Sequence, residues 1–392
     1  MGPRRRRIGL GKSDYCPSLV AGNLVLGWLL VGSAYSTRTP WWALAWPVLA
    51  LVILGVHVVF GSGALFAIAE AFALITTVFA AVYHAEVVAH CVGEPFGTLV
   101  LALAVTIIEV ALIVSMMVTG KTDTSGLARD TVFAAVMIVC NGIVGLCLLT
   151  GGIRHREQTF QLQGANAALS VLTALTTLTL VFPNVTSTTV GPTFSSSQLV
   201  FAAVVSLILY GSFLFVQTVR HRDYFLPAEG EGEGTHAPPP PNRVALLSAG
   251  LLLASLVLVV ALAKALTPTL EHGIAAMGAP RSIVGIVIAG LVLLPEGLAS
   301  YRAARANRLQ TSMNLALGSA LATIGLTIPA VAGVSIVLRE PLTLGLGTKE
   351  ELLLALTLFV SVLTLGTGRT TVLQGVVHLV LFAVFLFLSF VP

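Results

Sequence analysis

The sequence predicts an all-α polytopic membrane protein of about eleven transmembrane helices, and two observations carry the prediction. Hydrophobic residues fill 56% of the 392 positions and charged residues only 10%, against roughly 25% charged in a soluble domain. Apolar runs of eighteen or more residues recur along the whole chain, which is the signal of membrane-spanning helices. The mean hydropathy of +0.95 points the same way. A net charge of +4 calls for no acidic or nucleic-acid partner, because the basic residues that orient a membrane protein produce it. The partner that this composition requires is the lipid bilayer.

Taken in order, the apolar stretches run at roughly 18–35, 40–60, 64–83, 96–118, 127–151, 165–183, 196–219, 244–266, 282–304, 311–338, 349–366 and 372–391. Between the seventh and eighth lies RHRDYFLPAEGEGEGTHAPPPPNR, residues 220–243. Charged and rich in Gly and Pro, it has the composition of a linker rather than of a packed core. The chain therefore divides into a basic N-terminus with one hydrophobic stretch (1–39), an N-terminal membrane half (40–219), the linker (220–243) and a C-terminal membrane half (244–392). Arg154 and Arg156, then Arg220, Arg222 and Arg243, then Arg302, Arg305 and Arg308, and last Arg369 fall in loops two stretches apart, hence on one side. The positive-inside rule makes that side cytoplasmic. The N-terminus, with Arg4, Arg5, Arg6, Arg7 and Lys12, belongs there too. That parity needs an odd number of spans. Eleven are expected, with the linker cytoplasmic, the C-terminus external and 18–35 lying in the interface. Cleavage of a signal peptide at Gly32-Ser33-Ala34 would give the wrong parity. Cys140 and Cys147 are seven apart on one helix face, read as small packing residues.

Ionisable residues inside such segments are rare, because a charge near the bilayer centre costs about 3 kcal/mol or more. The candidates are His57, Glu70, Glu109, Lys264, Glu296 and His378. Lys264 is close to a segment end and is expected to snorkel. Glu109 and Glu296 stand apart. GEPFGTLVLALAVTIIEVALIVSMM (93–117) and GAPRSIVGIVIAGLVLLPEGLAS (278–300) each open on Gly-x-Pro and reach a glutamate about fifteen residues on. In the following helices Thr131 and Gly145 match Thr311 and Gly325. From the segment of Glu109 to that of Glu296 is five spans, an odd step, so the repeats have opposite orientation. Inverted repeats with polar residues at their interface are the architecture of many secondary transporters.

Two buried carboxylates balance one Ca²⁺, a hard cation that takes six to eight oxygens. Thr106, one turn before Glu109, adds a hydroxyl. Pro295 has no N–H, so the carbonyl of Leu291 loses its helical donor. A helix break there, kept loose by Gly297, is expected to offer free carbonyls to a cation. Without a cation, protonation is the cheap way to neutralise the pair. Cation and proton then compete for one site, and that competition is antiport.

PEGLASYRAARANRLQTSMNLALGSALATIGLTIPA, HAEVVAHCVGEPFGTL and TGRTTVLQGVVHLVLF resemble the bacterial ChaA-type calcium/sodium–proton antiporters of the cation/calcium exchanger superfamily, from about residue 45 onward. The resemblance implies eleven spans, two inverted five-helix repeats, an acidic cytoplasmic loop between the halves and the inner membrane of a bacterium. It implies that Glu109 and Glu296 bind the cation and that Asn141 and Ser319 support them. The family's Gly-Asn before each glutamate is replaced by Val105-Thr106 and Leu293 preceded by Val292, and Ala322 stands where relatives carry glutamine. Fewer amide ligands point to weaker Ca²⁺ selection and a role for Na⁺ or K⁺.

HAEVVAH (84–90) lacks the H-E-x-x-H order of a metalloprotease. Its bland reading is a polar helix end; its sharper one makes His84, Glu86 and His90 a cation entrance or pH sensor. The expected function is exchange of cytoplasmic Ca²⁺, or of Na⁺ or K⁺, for external H⁺, with no cofactor beyond the transported ions. A monovalent cation–proton antiporter is the near rival. An intramembrane enzyme would want a nucleophile, a histidine cluster or an aspartate-rich motif facing the pair, and the sequence offers none. A passive channel makes poorer use of two titratable carboxylates.

Overall fold

A computed structural model describes residues 39–61, 64–92, 96–119, 125–226, 241–276, 280 and 282–391. The stretch 18–35, the basic N-terminus and most of the linker lie outside the described residues, as do both Gly-x-Pro openings apart from Pro280. Among the described residues there are eleven long helices, one for each of the stretches from 40–60 onward. They are α1 (Trp41–Phe60), α2 (Ala64–Val92), α3 (Phe96–Thr119), α4 (Leu127–His155), α5 (Leu162–Asn184), α6 (Ser196–Arg220), α7 (Asn242–Ala276), α8 (Ser282–Arg305), α9 (Leu309–Leu338), α10 (Thr348–Leu365) and α11 (Val372–Phe390). Nine of them are long and apolar enough to cross a membrane. The apolar part of α3 is shorter, Leu103–Met117, and α10 opens on Lys349, Glu350 and Glu351. Their outward faces carry Val58, Leu253, Phe201 and Phe387, all more than half exposed, as helices facing lipid require.

Local chemistry sets the ends. Ser195 caps α6 in a capping box with Gln198, and Thr371 and Gln374 do the same for α11, each box satisfying two orphan backbone donors. Among the described residues four helices contain a π stretch: Ile138–Ile143 in α4, Thr177–Val181 in α5, Val216–Arg220 in α6 and Thr323–Thr327 in α9. Such single-turn bulges turn side chains away from the regular helical register. α8 runs unbroken from Ser282 to Arg305 with Pro295 inside it, so the break expected at LLPEG does not form. One lost hydrogen bond is tolerated where neighbouring helices pack on both sides.

The hydrophobic core falls into two clusters. One gathers α1, α2, α3, α7 and α8, around Leu74, Ile108, Val259 and Ile288. The other is dominated by α4, α5, α6, α9, α10 and α11, around Val136, Leu172, Leu317 and Leu358. α2 and α7 pack along each other, α8 packs on α4, and α3 packs on α9. Each glutamate helix therefore lies against a helix of the opposite half.

The halves correspond under inversion. Gly145 of α4 fits against the Cβ of His378 in α11, where an added methyl would lie 2.9 Å away. Gly325 of α9 fits against the Cβ of Tyr210 in α6, with 2.8 Å for the same methyl. The loops correspond as well. Gln158–Thr159 (β1) between α4 and α5 pairs antiparallel with Arg369–Thr370 (β2) between α10 and α11. The counterpart is the bridge of Thr193, between α5 and α6, with Thr343, between α9 and α10. Even-numbered connections meet even, and odd meet odd, as they must if each helix crosses. The linker begins differently from its reading as unpacked chain. Phe225 is buried edge-on against Phe213, centroids 5.7 Å apart, and its carbonyl accepts from Asn314 Nδ2 at 2.6 Å.

Candidate cation site

Glu109 sits in the middle of α3 and Glu296 in α8, 2% and 9% exposed, at the seam between the two core clusters. Each is close enough for its charge to act on the other. Glu109 Oε2 accepts a hydrogen bond from Thr323 Oγ1 of α9 at 3.0 Å. Thr327, one turn on and fully buried, lies beside the same carboxylate but outside hydrogen-bonding geometry. The Ser319 hydroxyl, one turn before Thr323, addresses Glu296. Among the described residues, Glu109 Oε1, Glu296 Oε2 and Thr327 Oγ1 are buried without a hydrogen-bond partner. Orphaned buried oxygens are costly in a finished core, whereas a cation or a proton satisfies them. Carboxylates and hydroxyls form an all-oxygen donor set, which suits hard cations.

Thr323 and Thr327 are the residues that sequence reasoning missed. The π stretch brings their hydroxyls to the side of Glu109, while Ala322 is left without a ligand. The available signal was a pair of threonines one turn apart in the helix after a glutamate segment. Such threonines usually bond their own i−4 carbonyl and vanish into the helix.

The other expected residues divide. Thr106 is buried a turn from Glu109. Pro295 is buried within α8, and Leu291 lines a cavity between α2, α3, α7 and α8 rather than a helix break. Gly297 faces Ile143 of α4, where an added methyl would sit 3.1 Å from Cδ1. Asn141 is turned away from the carboxylates. Its Nδ2 donates to Thr357 Oγ1 of α10 at 2.9 Å, and its Oδ1 faces His378 Nδ1 of α11 at 3.2 Å. With both ends of the amide engaged there, it does not support the pair in this conformation.

The HAEVVAH segment is the last part of α2. His84 is fully buried with Nε2 3.1 Å from the Ala43 carbonyl of α1, so it packs α1 onto α2 and faces no entrance. Glu86 is within electrostatic reach of Arg302, and His90 is half-buried in the final turn. His57 Nδ1 lies 2.6 Å from Glu70 Oε1, joining α1 to α2, and Lys264 is exposed. Cys140 and Cys147 are buried free thiols.

Inverted helical halves with buried polar residues at their seam are the architecture of many secondary membrane transporters. The chain belongs to the sodium/calcium exchanger protein family, whose model matches residues 62–219 and 247–391. It is 51% identical to a putative ionic transporter, y4hA, of Sinorhizobium fredii, over 91% of this chain and 98% of that one. It is 36% identical to the sodium-potassium/proton antiporter ChaA of Escherichia coli, over the same shares, 91% and 98%. Among solved structures it is similar to native YfkE, with a TM-score of 0.68 at 16% identity over 90% of this chain and 99% of that one. The H⁺/Ca²⁺ exchanger CAX is equally similar, at 0.68 and 16%, over 88% of each chain. At that identity the structural likeness speaks for the fold. The relatives with informative names are transporters or exchangers rather than enzymes.

Proposed function

We propose that this protein is a secondary antiporter of a bacterial inner membrane, exchanging cytoplasmic Ca²⁺, or Na⁺ or K⁺, for external H⁺ at Glu109 and Glu296. The observation that carries the reading is the juxtaposition of two buried carboxylates from opposite halves, each with an oxygen lacking a partner. Taken with membership of the exchanger family, it favours ion exchange over catalysis. The carboxylates hold a cation or protons, and the electrostatics of one site suffice for coupling. The N-terminus and the arginine-bearing loops face the cytoplasm by the positive-inside rule.

Monovalent transport is a second reading with its own support. The donor set around the pair is carboxylate and hydroxyl, with Asn141 engaged elsewhere. The Escherichia coli relative carries sodium and potassium in its name.

Everted vesicles test both. Addition of Ca²⁺, Na⁺ or K⁺ in turn should dissipate an acid-inside ΔpH reported by an acridine dye, and the ranking of the three fixes the preferred ion. Glu109→Gln and Glu296→Gln should each abolish ΔpH-driven ⁴⁵Ca²⁺ uptake. Transport at wild-type rate in either variant removes that residue from the site. Because protons compete for the same oxygens, acidifying the cation-loading side should raise the half-saturating cation concentration, and alkalinising it should lower it. A half-saturation that ignores pH would sink the shared site.

A further inference from the structure

The buried histidine of α11 has no part in the exchange described so far. His378 is fully buried and lies in a polar chain that links three helices. Asn141 donates its amide hydrogens to Thr357 Oγ1 at 2.9 Å and towards Met137 Sδ at 3.8 Å. The end of Asn141 that faces His378 Nδ1, at 3.2 Å, is therefore the oxygen. The ring must carry its hydrogen on Nδ1 to satisfy that oxygen. Nε2 is then an acceptor, and the Thr364 hydroxyl lies 2.7 Å from it, its one hydrogen shared between that nitrogen and the Val360 carbonyl at 2.8 Å.

Cys140 and Asn141 are both inside the π stretch of α4, Ile138–Ile143. A π stretch interrupts the regular ladder and weakens local backbone pairing. A side-chain donor aimed at its one amide side chain holds it in place. The opposite face of the same stretch carries Ile143, which meets the α8 backbone at Gly297, next to Glu296. Phe382, one turn beyond His378, closes on Gly142, where an added methyl would lie 3.4 Å from the ring.

We propose that His378 is a positioning residue for the cation site: through Asn141 it fixes the π stretch of α4 on which the Glu296 turn of α8 rests. The arrangement belongs to one half only. Tyr210 occupies the matching place against Gly325, but the π stretch of α9 gives the Thr323 hydroxyl to Glu109 instead. The proposal rests on the reading of Glu296 as a cation ligand.

The test uses the full chain in vesicles, with His378→Leu, His378→Gln and the double variant Asn141→Leu/His378→Leu. His378→Leu should raise the half-saturating Ca²⁺ concentration about fivefold or more with maximal rate within about twofold, because an orphaned amide oxygen lets the bulge relax. His378→Gln keeps a donor for Asn141 and should stay within about twofold of wild type. The double variant should be no worse than His378→Leu, because two residues acting through one contact are not additive. Half-saturation unchanged in His378→Leu, or additive losses in the double variant, would overturn the proposal. Hydrogen exchange across residues 138–143 of the full chain gives a readout that needs no transport. Faster exchange there in His378→Leu, in a protein whose wild type moves no cation, would keep the brace and reject the functional reading. Unchanged exchange would reject the brace whatever the wild type transports.

Discussion

Thr323 is where residue chemistry decides what the site can hold. Its hydroxyl donates to Glu109 across the boundary between halves at 3.0 Å, and as an oxygen it can also turn its lone pairs to a cation. Thr323→Val keeps the shape and removes the oxygen. The expected cost is about 1 kcal/mol of cation binding, or roughly fivefold in half-saturation, with Thr323→Ser close to wild type. Titrating ⁴⁵Ca²⁺ uptake in vesicles checks it; equal half-saturation for wild type and Thr323→Val would leave the hydroxyl structural. The glutamates were legible in the sequence because charges in apolar helices are rare. Thr323 was not, because threonines are common in such helices. Only the third dimension tells one bonded to Glu109 from one bonded to its own backbone, as Thr176 is to Leu172.

At the scale of the element, Pro295 and the π stretches changed places. Proline is visible in a sequence and was read as the device that opens α8, yet α8 stays helical through it. The irregular backbone nearest the glutamates lies instead in α4 and α9, where nothing in the composition announces it. A π stretch amounts to one extra residue per turn over a short span, and hydrophobic periodicity does not resolve it. Helix existence was legible because every span is a long apolar run, and the arginines marked the connections. Pro295→Ala restores a donor for the Leu291 carbonyl without having to re-form a helix. It should therefore raise the melting temperature of the purified protein while changing Ca²⁺ half-saturation less than about twofold. A large loss of affinity with unchanged melting would return Pro295 to the site.

Over the whole molecule, inversion explains both the seam and the exchange of contacts across it. Glu109 takes its hydroxyl from α9, Gly297 beside Glu296 rests on Ile143 of α4, and β1 of one half pairs with β2 of the other. The opposed orientation of the halves was readable from an odd step, five spans, from one of two similar segments to the other. Which helix of one half touches which helix of the other was not, because sequence spacing carries no cross-repeat register. Residues 1–226 and 241–392 expressed as separate polypeptides should restore ΔpH-driven ⁴⁵Ca²⁺ uptake only when present together, since packing rather than the linker joins them. Transport by either piece alone would show that one half holds a complete site.

The bond from Thr323 to Glu109 also carries a consequence for engineering. A half that kept every ligand to itself could be redesigned alone. Here each half lends the other an oxygen or a surface, so a change of side chain on one side shifts what is tolerated on the far side. Redesign of this seam is a task for matched pairs of substitutions, one from each half.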